Sequence, residues 1–333
     1  MTINQPPLQP TPVGAFRFNT DSSKMEYYDG NQWVNVTSDS PESQTGGTRG
    51  VIHIGSDDTT YVVDIQYINA DSTGNAIDFG DSTEARGYGA SWSSRTRGCF
   101  AAGQAGGSNK NNIDYVTLSS TGNAINFGDI SDVLVRYPAG LSDATRGILL
   151  GGYDGTNGRN EMRYVTIAST GDTVDFGDTY HYTYGSTGLA SPTRGIYGHG
   201  ANPSAGYYNV IEFFTIQTTG NTSDFGDSTT ASRGSFGCSN AVRGIFAGGY
   251  VSPGAIHNAI DYITLATLGN AVDFGDLTST RGYGASVSSP TRACFCGGGH
   301  WPSVYGLETI DYVQIASTGD AIDFGDFINS MEP

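Results

Sequence analysis

Lysine is almost missing from this chain: Lys24 and Lys110 are the only two in 333 residues, and only 15% of residues are charged. Acidic side chains number 33 against 16 basic ones, a formal net charge of −17. Phosphate binding is driven by clustered Lys and Arg, so this balance argues against nucleic acid and anionic membranes as partners. No apolar run approaches the roughly 20 residues of a membrane span, and Met1 to Thr11 is polar with no apolar h-region, so neither membrane insertion nor a secretory leader is expected. Synthesis and folding in a cytoplasm follow. Cysteine is scarce too: Cys99, Cys238, Cys294 and Cys296 have spacings of neither a zinc site nor a disulfide framework, which predicts free, mostly buried thiols.

What is abundant is glycine (48) and tyrosine (20), a composition for short strands and tight turns rather than helices or a coiled coil. From residue 48 onward the chain repeats itself. Thr-Arg-Gly recurs at Thr48, Thr96, Thr145 and Thr193, varied as Val242-Arg243-Gly244 and Thr291-Arg292-Ala293. Phe-Gly-Asp begins at Phe79, Phe127, Phe176, Phe225, Phe274 and Phe324, with steps of 48, 49, 49, 49 and 50 residues. That period suits a propeller blade and is too long for most helical solenoids.

One unit, Arg281 to Asp326, reads as four strands: Arg281 to Val287, Arg292 to Gly299, Ile310 to Ile315, and Ala321 to Asp326 after the turn Ser317-Thr-Gly-Asp. Six such turns place Gly where a hairpin needs positive φ. In the third strand Ile113, Tyr115 and Thr117 face one way and Asp114, Val116 and Leu118 the other. Apolar groups on both faces predict a sheet packed between two neighbours. The fold class expected is all-β, a six-bladed β-propeller with a short N-terminal meander and an extended arm; a trimeric β-prism fibre is the alternative. The divisions are an arm at 1–13, a meander at 14–37 and the propeller at 38–333.

The pattern Arg-x-x-x-Ala-Ser, a strand ending in Gly-Gly, then Ile-Asp-Tyr-Val and a final short strand resembles the kelch repeats over residues 48 to 326. Phe of Phe-Gly-Asp stands where kelch repeats carry a tryptophan. The first unit lacks an inner strand unless Ser38 to Gly47 supplies it, and closure of the ring by that segment is expected.

Pro6, Pro7, Pro10 and Pro12 favour an extended arm with no core of its own. Gly14 to Val36 reads as three short strands whose Phe16, Phe18, Tyr27 and Trp33 want a partner and are the candidate anchoring residues. Gly14-Ala-Phe-Arg-Phe-Asn-Thr, Met25-Glu-Tyr-Tyr-Asp-Gly and Trp33-Val resemble a short module of virion structural and tail-fibre proteins of tailed phages, particularly those of cyanobacteria. The repeats Ile-Asp-Tyr-Val-Thr-Ile and Asp-Phe-Gly-Asp are similar to repeats in the same proteins. The resemblance implies a particle component present in multiple copies, located in the virion and assembled in the host cytoplasm, with other virion proteins as partners of the N-terminal arm.

The recurring residues read as scaffold. Asp-Phe-Gly occurs five times, whereas the kinase magnesium motif needs to appear once, beside a lysine and a phosphate loop that are missing. Each Phe is expected to fill the space between blades, worth about 2–3 kcal/mol if fully buried. Arg49, Arg97, Arg146, Arg194, Arg243 and Arg292 in second strands, and Arg86, Arg136, Arg233 and Arg281 opening first strands, are expected to bridge blades to repeated Asp residues. A ring of them near the axis holding an anion is the lesser reading. No cofactor, no calcium loop and no metal spacing among His53, His181, His199, His257 and His300 is seen. No nucleophile elbow appears, so the chain reads as non-enzymatic; Asp154 and Glu161 are weak candidates for a glycan depolymerase pair.

Function should lie where the repeats differ. The loops Gly151–Arg163, Gly198–Asn209, Gly248–Ala259 and Gly297–Thr309, with the connector Asp178–Ser186, would share one face of a propeller. They gather Tyr153, Tyr180, His181, Tyr182, Tyr184, Tyr207, Tyr208, Tyr250, His300, Trp301 and Tyr305 as candidate ligand-binding residues. Aromatics beside Asn, Asp and Ser stack on sugar rings and bond their hydroxyls. The expected function is a tail or baseplate protein binding a host-surface glycan or protein receptor; the alternative is a head decoration or connector protein that contacts only virion proteins.

Overall fold

The computed structural model describes residues 11–20, 24–36, 48–56, 60–132, 134–300 and 306–331. The chain divides into two compact units, Met1–Ser40 and Pro41–Pro333. Every regular element among the described residues is a β-strand, and every pairing is antiparallel.

The small unit is a three-stranded sheet of Phe16–Asn19, Lys24–Tyr28 and Trp33–Asn35. Register places Phe16, Tyr27 and Val34 in one row and Phe18 and Met25 in the next, where the Val36 amide donates to the Met25 carbonyl. Partners in register share a face, so these apolar side chains form one patch, with Phe16 67% and Phe18 58% exposed. The opposite face is knit together: Arg17 Nε donates to Glu26 Oε2 at 2.8 Å, Asn19 Nδ2 donates to Glu26 Oε1, and the Arg17 guanidinium lies 4.2 Å from the Trp33 ring centre. Trp33 is therefore not part of the uncovered patch expected from sequence. It lies on the far face beneath Arg17, and Met25, Val34 and Val36 complete the patch instead.

The described residues of the large unit form six sheets of three or four strands in chain order, here I to VI, and two small two-stranded hairpins, Gln104–Ala105 with Ser108–Asn109 and Ala201–Asn202 with Gly206–Tyr207. Sheet I has three strands, Arg49–His53, Asp64–Asn69 and Ile77–Asp81. Sheets II to VI have four each, paired in sequence order. Their first strands are Ala90–Ser93, Ala139–Ser142, Thr187–Ala190, Phe236–Ser239 and Ala285–Ser288. The segment Ser38 to Gly47, expected to complete sheet I, lies outside the described residues. The first strand of sheet VI was expected to open at Arg281 but begins at Ala285, because Tyr283 is in the left-handed region and turns the chain before the strand starts.

Each sheet packs its two faces against its neighbours, as the double-sided third strand requires. Six buried clusters fill six interfaces; one joins Leu189, Ile196 and Phe225 of sheet IV to Phe246, Ile263 and Leu265 of sheet V. Another joins Ile52 and Ile68 of sheet I to Cys294, Ile310 and Phe324 of sheet VI. The neighbour relations thus run from I to VI and return to I.

The repeated arginines make those interfaces, though not with Asp. In each sheet Nη1 of the second-strand arginine donates to a main-chain carbonyl of the next: Arg49 to Leu118, Arg97 to Ile167, Arg146 to Ile216, Arg194 to Leu265, Arg243 to Ile315 and Arg292 to Ala70. The same guanidiniums lie over third-strand rings, Tyr67, Tyr115, Tyr164, Phe213, Tyr262 and Tyr312, at 4.5–4.8 Å. Those rings meet the Phe-Gly-Asp phenylalanines, each 1–2% exposed, edge-on. A carbonyl serves as acceptor because it sits at a fixed backbone position whatever the side chain, so the clamp survives sequence drift between repeats.

The two sequence signatures, Phe-Gly-Asp and Ser-Thr-Gly-Asn, turn out to be halves of one joint. Gly122 N donates to Phe79 O and Ala124 N to Asp81 O, and the pattern repeats to Gly74 N to Phe324 O and Ala76 N to Asp326 O. Asn75 Oδ1 then accepts from the Asp326 amide at 3.2 Å. Glycine is required at the joint: Gly325 has φ +149, and a Cβ there would lie 2.6 Å from the Gly74 carbonyl.

Candidate functional site

The second residue before each first strand is held in the left-handed region: Tyr88 (φ 62°), Tyr137 (57°), Gly185 (64°), Gly234 (63°) and Tyr283 (54°). Three tyrosines at positive φ are strained, and such strain persists where surrounding structure enforces it. Here a chain of main-chain hydrogen bonds between successive sheets does so, with Tyr137 N donating to Tyr88 O, Gly185 N to Tyr137 O, Gly234 N to Gly185 O and Tyr283 N to Gly234 O at 2.6–2.8 Å. The tyrosine rings are thereby gathered. Tyr137 lies 4.6 Å from Tyr88 and 5.4 Å from Tyr283, Tyr283 lies 5.3 Å from Tyr250, and Tyr153 lies 5.1 Å from Tyr184.

One residue earlier, an isolated bridge ties each connector to the loop between second and third strands: Gly87 to Gln104, Arg136 to Tyr153, Tyr184 to Ala201, Arg233 to Tyr250 and Gly282 to Gly299. These bridges show that Arg136 and Arg233 occupy the position of Gly87, Tyr184 and Gly282. Arg86 and Arg281 sit one residue before it. A one-residue offset in extended chain turns the side chain to the other side, and the four arginines expected as one set divide accordingly. Arg86 and Arg281 are buried against Asp114 and Asp311 of their own sheets, at 3.0 and 2.8 Å. These are pairs within a sheet, not bridges between sheets.

Arg136 and Arg233 point into the tyrosines. The Arg136 guanidinium lies 5.1 Å from the Tyr153 ring and its Nη1 donates to Gln104 Oε1 at 2.8 Å. Arg233 lies 5.4 Å from Tyr184 and 5.2 Å from Tyr207, and its Nη1 donates to Tyr184 Oη at 2.7 Å. Burial, against the opposing pull of Arg233, drives the Tyr283 phenol well above its ordinary range, so it stays a neutral donor.

The expected loop-face residues thus fall into groups. Tyr153, Tyr184, Tyr207 and Tyr250 belong to this cluster. Tyr180, His181 and Tyr208 form a second, built on Glu212: this buried carboxylate accepts from the Tyr180 amide at 2.9 Å and meets His181 Nδ1 at 2.7 Å. The His181 ring meets Tyr208 at 4.8 Å with the planes tilted by 51°; Tyr180 is 79% exposed, and Tyr182, whose carbonyl accepts from Asn202 Nδ2, is 55% exposed. His300 pairs with Thr280 Oγ1 at 3.1 Å, apart from both groups, and Trp301 and Tyr305 lie outside the described residues. Tyr88, Tyr137 and Tyr283 were not expected at the site. Their signal was Tyr between glycines at 87–89 and 282–284, which marks a turn rather than strand.

Chemistry at the weak carboxylate pair is disfavoured by its ion pairing. Arg159 bonds both Asp154 and Glu161. Burial opposes ionisation of both, but backbone amides at Asp154 and Arg159 at Glu161 outweigh it and hold both carboxyls below their ordinary values, the reverse of what a general acid needs. Among the described residues no group of three or more His, Cys, Asp or Glu side chains could hold a metal.

Comparison with known proteins returns no match to any protein-family model and no match to any curated protein.

Proposed function

We propose that residues 38–333 form a six-bladed kelch-like β-propeller, and that the protein is a non-enzymatic structural component of a tailed-phage particle, of the tail or baseplate fibre type. Its loop face binds a host-surface glycan or protein receptor, and its N-terminal unit holds it on the particle. The propeller reading is supported by the six Arg-to-carbonyl clamps, which lead from sheet to sheet and end with Arg292 on Ala70. The binding reading is carried by one observation: three repeats hold a strained tyrosine, and two more a glycine, at the same left-handed position, which brings tyrosine rings and two arginines together at a single end of the first strands. Half-buried Tyr and Arg are the residues that dominate recognition surfaces.

The uncovered row of Phe16, Tyr27 and Val34 beside Phe18 and Met25 supports the anchoring role, since an apolar face of this kind calls for a protein surface to cover it. The test is saturable binding of labelled full chain to intact cyanobacterial cells, beside a Tyr180→Ala/Tyr182→Ala/Tyr207→Ala variant. Binding that the variant loses supports receptor recognition. Absence of binding by protein with an intact melting transition would replace it with the decoration or connector role.

A further inference from the structure

The small unit has no core of its own. Among its described residues Glu26 is the only buried side chain, and none of the six buried apolar clusters includes a residue of this unit. Yet one whole face of its sheet is apolar, with Phe16, Tyr27 and Val34 in one row, Phe18, Met25 and Val36 in the next, and no charged side chain among them. Phe16 is 67% exposed, Phe18 58%, Met25 46%, Val36 39% and Tyr27 37%. A unit this small cannot repay its chain entropy while such a face stays in water, and below about 40 residues association is a usual remedy. What the sheet presents is half of a core, which is how the surfaces of obligate homodimers are built.

The face also fits itself. Each row runs from a large side chain on the first strand, through a long one on the middle strand, to a small one on the third: Phe16, Tyr27, Val34 and Phe18, Met25, Val36. A two-fold axis parallel to the middle strand, midway between two facing sheets, lays the first strand of one copy over the third strand of the other. Phe16 and Phe18 then stand over Val34 and Val36 of the second copy, while Tyr27 meets Tyr27 and Met25 meets Met25. Large opposes small on both flanks, so the gap keeps one width, near the roughly 10 Å of packed sheets. With 150–250 Å² for a whole aromatic side chain as the scale, the exposed fractions amount to roughly 500 Å² per copy. The pair would bury about 1,000 Å², the level at which specific interfaces begin. Charge points the same way. Residues 1–40 carry Arg17 and Lys24 against Asp21, Glu26, Asp29 and Asp39, a net −2, which leaves −15 of the total −17 on residues 41–333. Like charge keeps the large units apart, and the nearly neutral sheet is where two copies can meet.

We propose that the apolar face of the N-terminal unit is covered by the same face of a second copy, so that the protein is a two-fold dimer joined through this sheet. The inference goes beyond the anchoring reading and does not depend on it, since a paired unit keeps its Arg17 and Glu26 faces outward for a particle.

The experiment is sedimentation equilibrium of the full chain over about a hundredfold range of micromolar concentration, where twice the chain mass is expected. Because Tyr27 meets its own counterpart, Tyr27→Glu and Tyr27→Lys each set like charges face to face, and each alone should weaken association at least tenfold. Mixed one to one, the two variants should associate again, which a variant that had merely failed to fold would not do. Wild type that stays monomeric would overturn the pairing and return the face to a particle protein, leaving the anchoring reading intact. A trimer, a dimer indifferent to both substitutions, or a mixture that stays monomeric would overturn it as well.

Discussion

Replacing Gly325 by alanine probes the joint between sheets VI and I. The native φ of +149° is one that L side chains rarely adopt, and the new Cβ would meet the Gly74 carbonyl at 2.6 Å. Forcing the conformation costs about 1–3 kcal/mol. Relieving the clash by separating the strands forfeits the Gly74 N to Phe324 O and Ala76 N to Asp326 O bonds, about 1 kcal/mol each. The sum is about 3–5 kcal/mol. With about 2.1 cal/mol/K per residue of unfolding entropy over roughly 290 residues, the melting temperature should fall by about 5–8 °C. Gly74→Ala is the control: its φ is +153° but a Cβ there has nothing within 4 Å, so only the conformational cost applies. Gly177→Ala, whose Cβ would lie 2.5 Å from the Gly220 carbonyl, repeats the test at the joint of sheets III and IV. Calorimetry of the three variants decides. If Gly325→Ala costs no more than Gly74→Ala while Gly177→Ala costs several kcal/mol, the return from sheet VI to sheet I is refuted.

Three further outcomes are expected. His199 is buried beside Phe246, its Nδ1 sharing a hydrogen bond with Ser235 Oγ at 2.9 Å, and burial lowers its pKa to about 3. The unfolded chain takes up a proton near its ordinary value of about 6.5 while the folded one does not, so stability present above that pH is lost on acidification, by about 2 kcal/mol between pH 7 and pH 5; a His199→Gln variant should show a correspondingly flatter denaturation profile over that range. Arg194→Met removes the donor to Leu265 O and the charge over Phe213, and should destabilise by about 1.5–3 kcal/mol in urea denaturation, with no such loss meaning that the clamp is ornamental. Cys99 and Cys294 are fully buried with thiols pushed up to about 12 by desolvation, and Cys238 and Cys296 are pushed up as well; native protein should give no fast thiol colour reaction at pH 8, and denatured protein should give four equivalents.

The architecture was legible because its signals are periodic. Phe79 and its five counterparts could be seen as interface residues from spacing alone, since a residue that returns once per unit meets the same surroundings each time. The acceptors of the arginine clamps could not, because carbonyls carry no residue identity, and an abundant Asp was the natural but wrong partner. The offset between Arg86 and Arg136 was hidden by unequal connector lengths: nothing in the letters shows which of two adjacent positions meets the bridge to the next loop. Tyr88 and Tyr283 were absorbed into strands for a related reason, since Arg-Gly-Tyr-Gly alternates like a strand and only its flanking glycines hint at positive φ. Trp33 was misplaced because in so short a sheet either face could have been the covered one, and the choice fell to the Arg17–Glu26 pair.

The most direct measurement of the receptor-binding account is amide hydrogen exchange of the full chain with and without host-cell envelope fragments. The account predicts new protection at the connectors around Tyr88, Tyr137, Tyr184, Arg233 and Tyr283 and at the loop holding Tyr207, with the fourth strands unchanged. Protection confined to Phe16 to Val36, or none at any concentration of envelope, would contradict it.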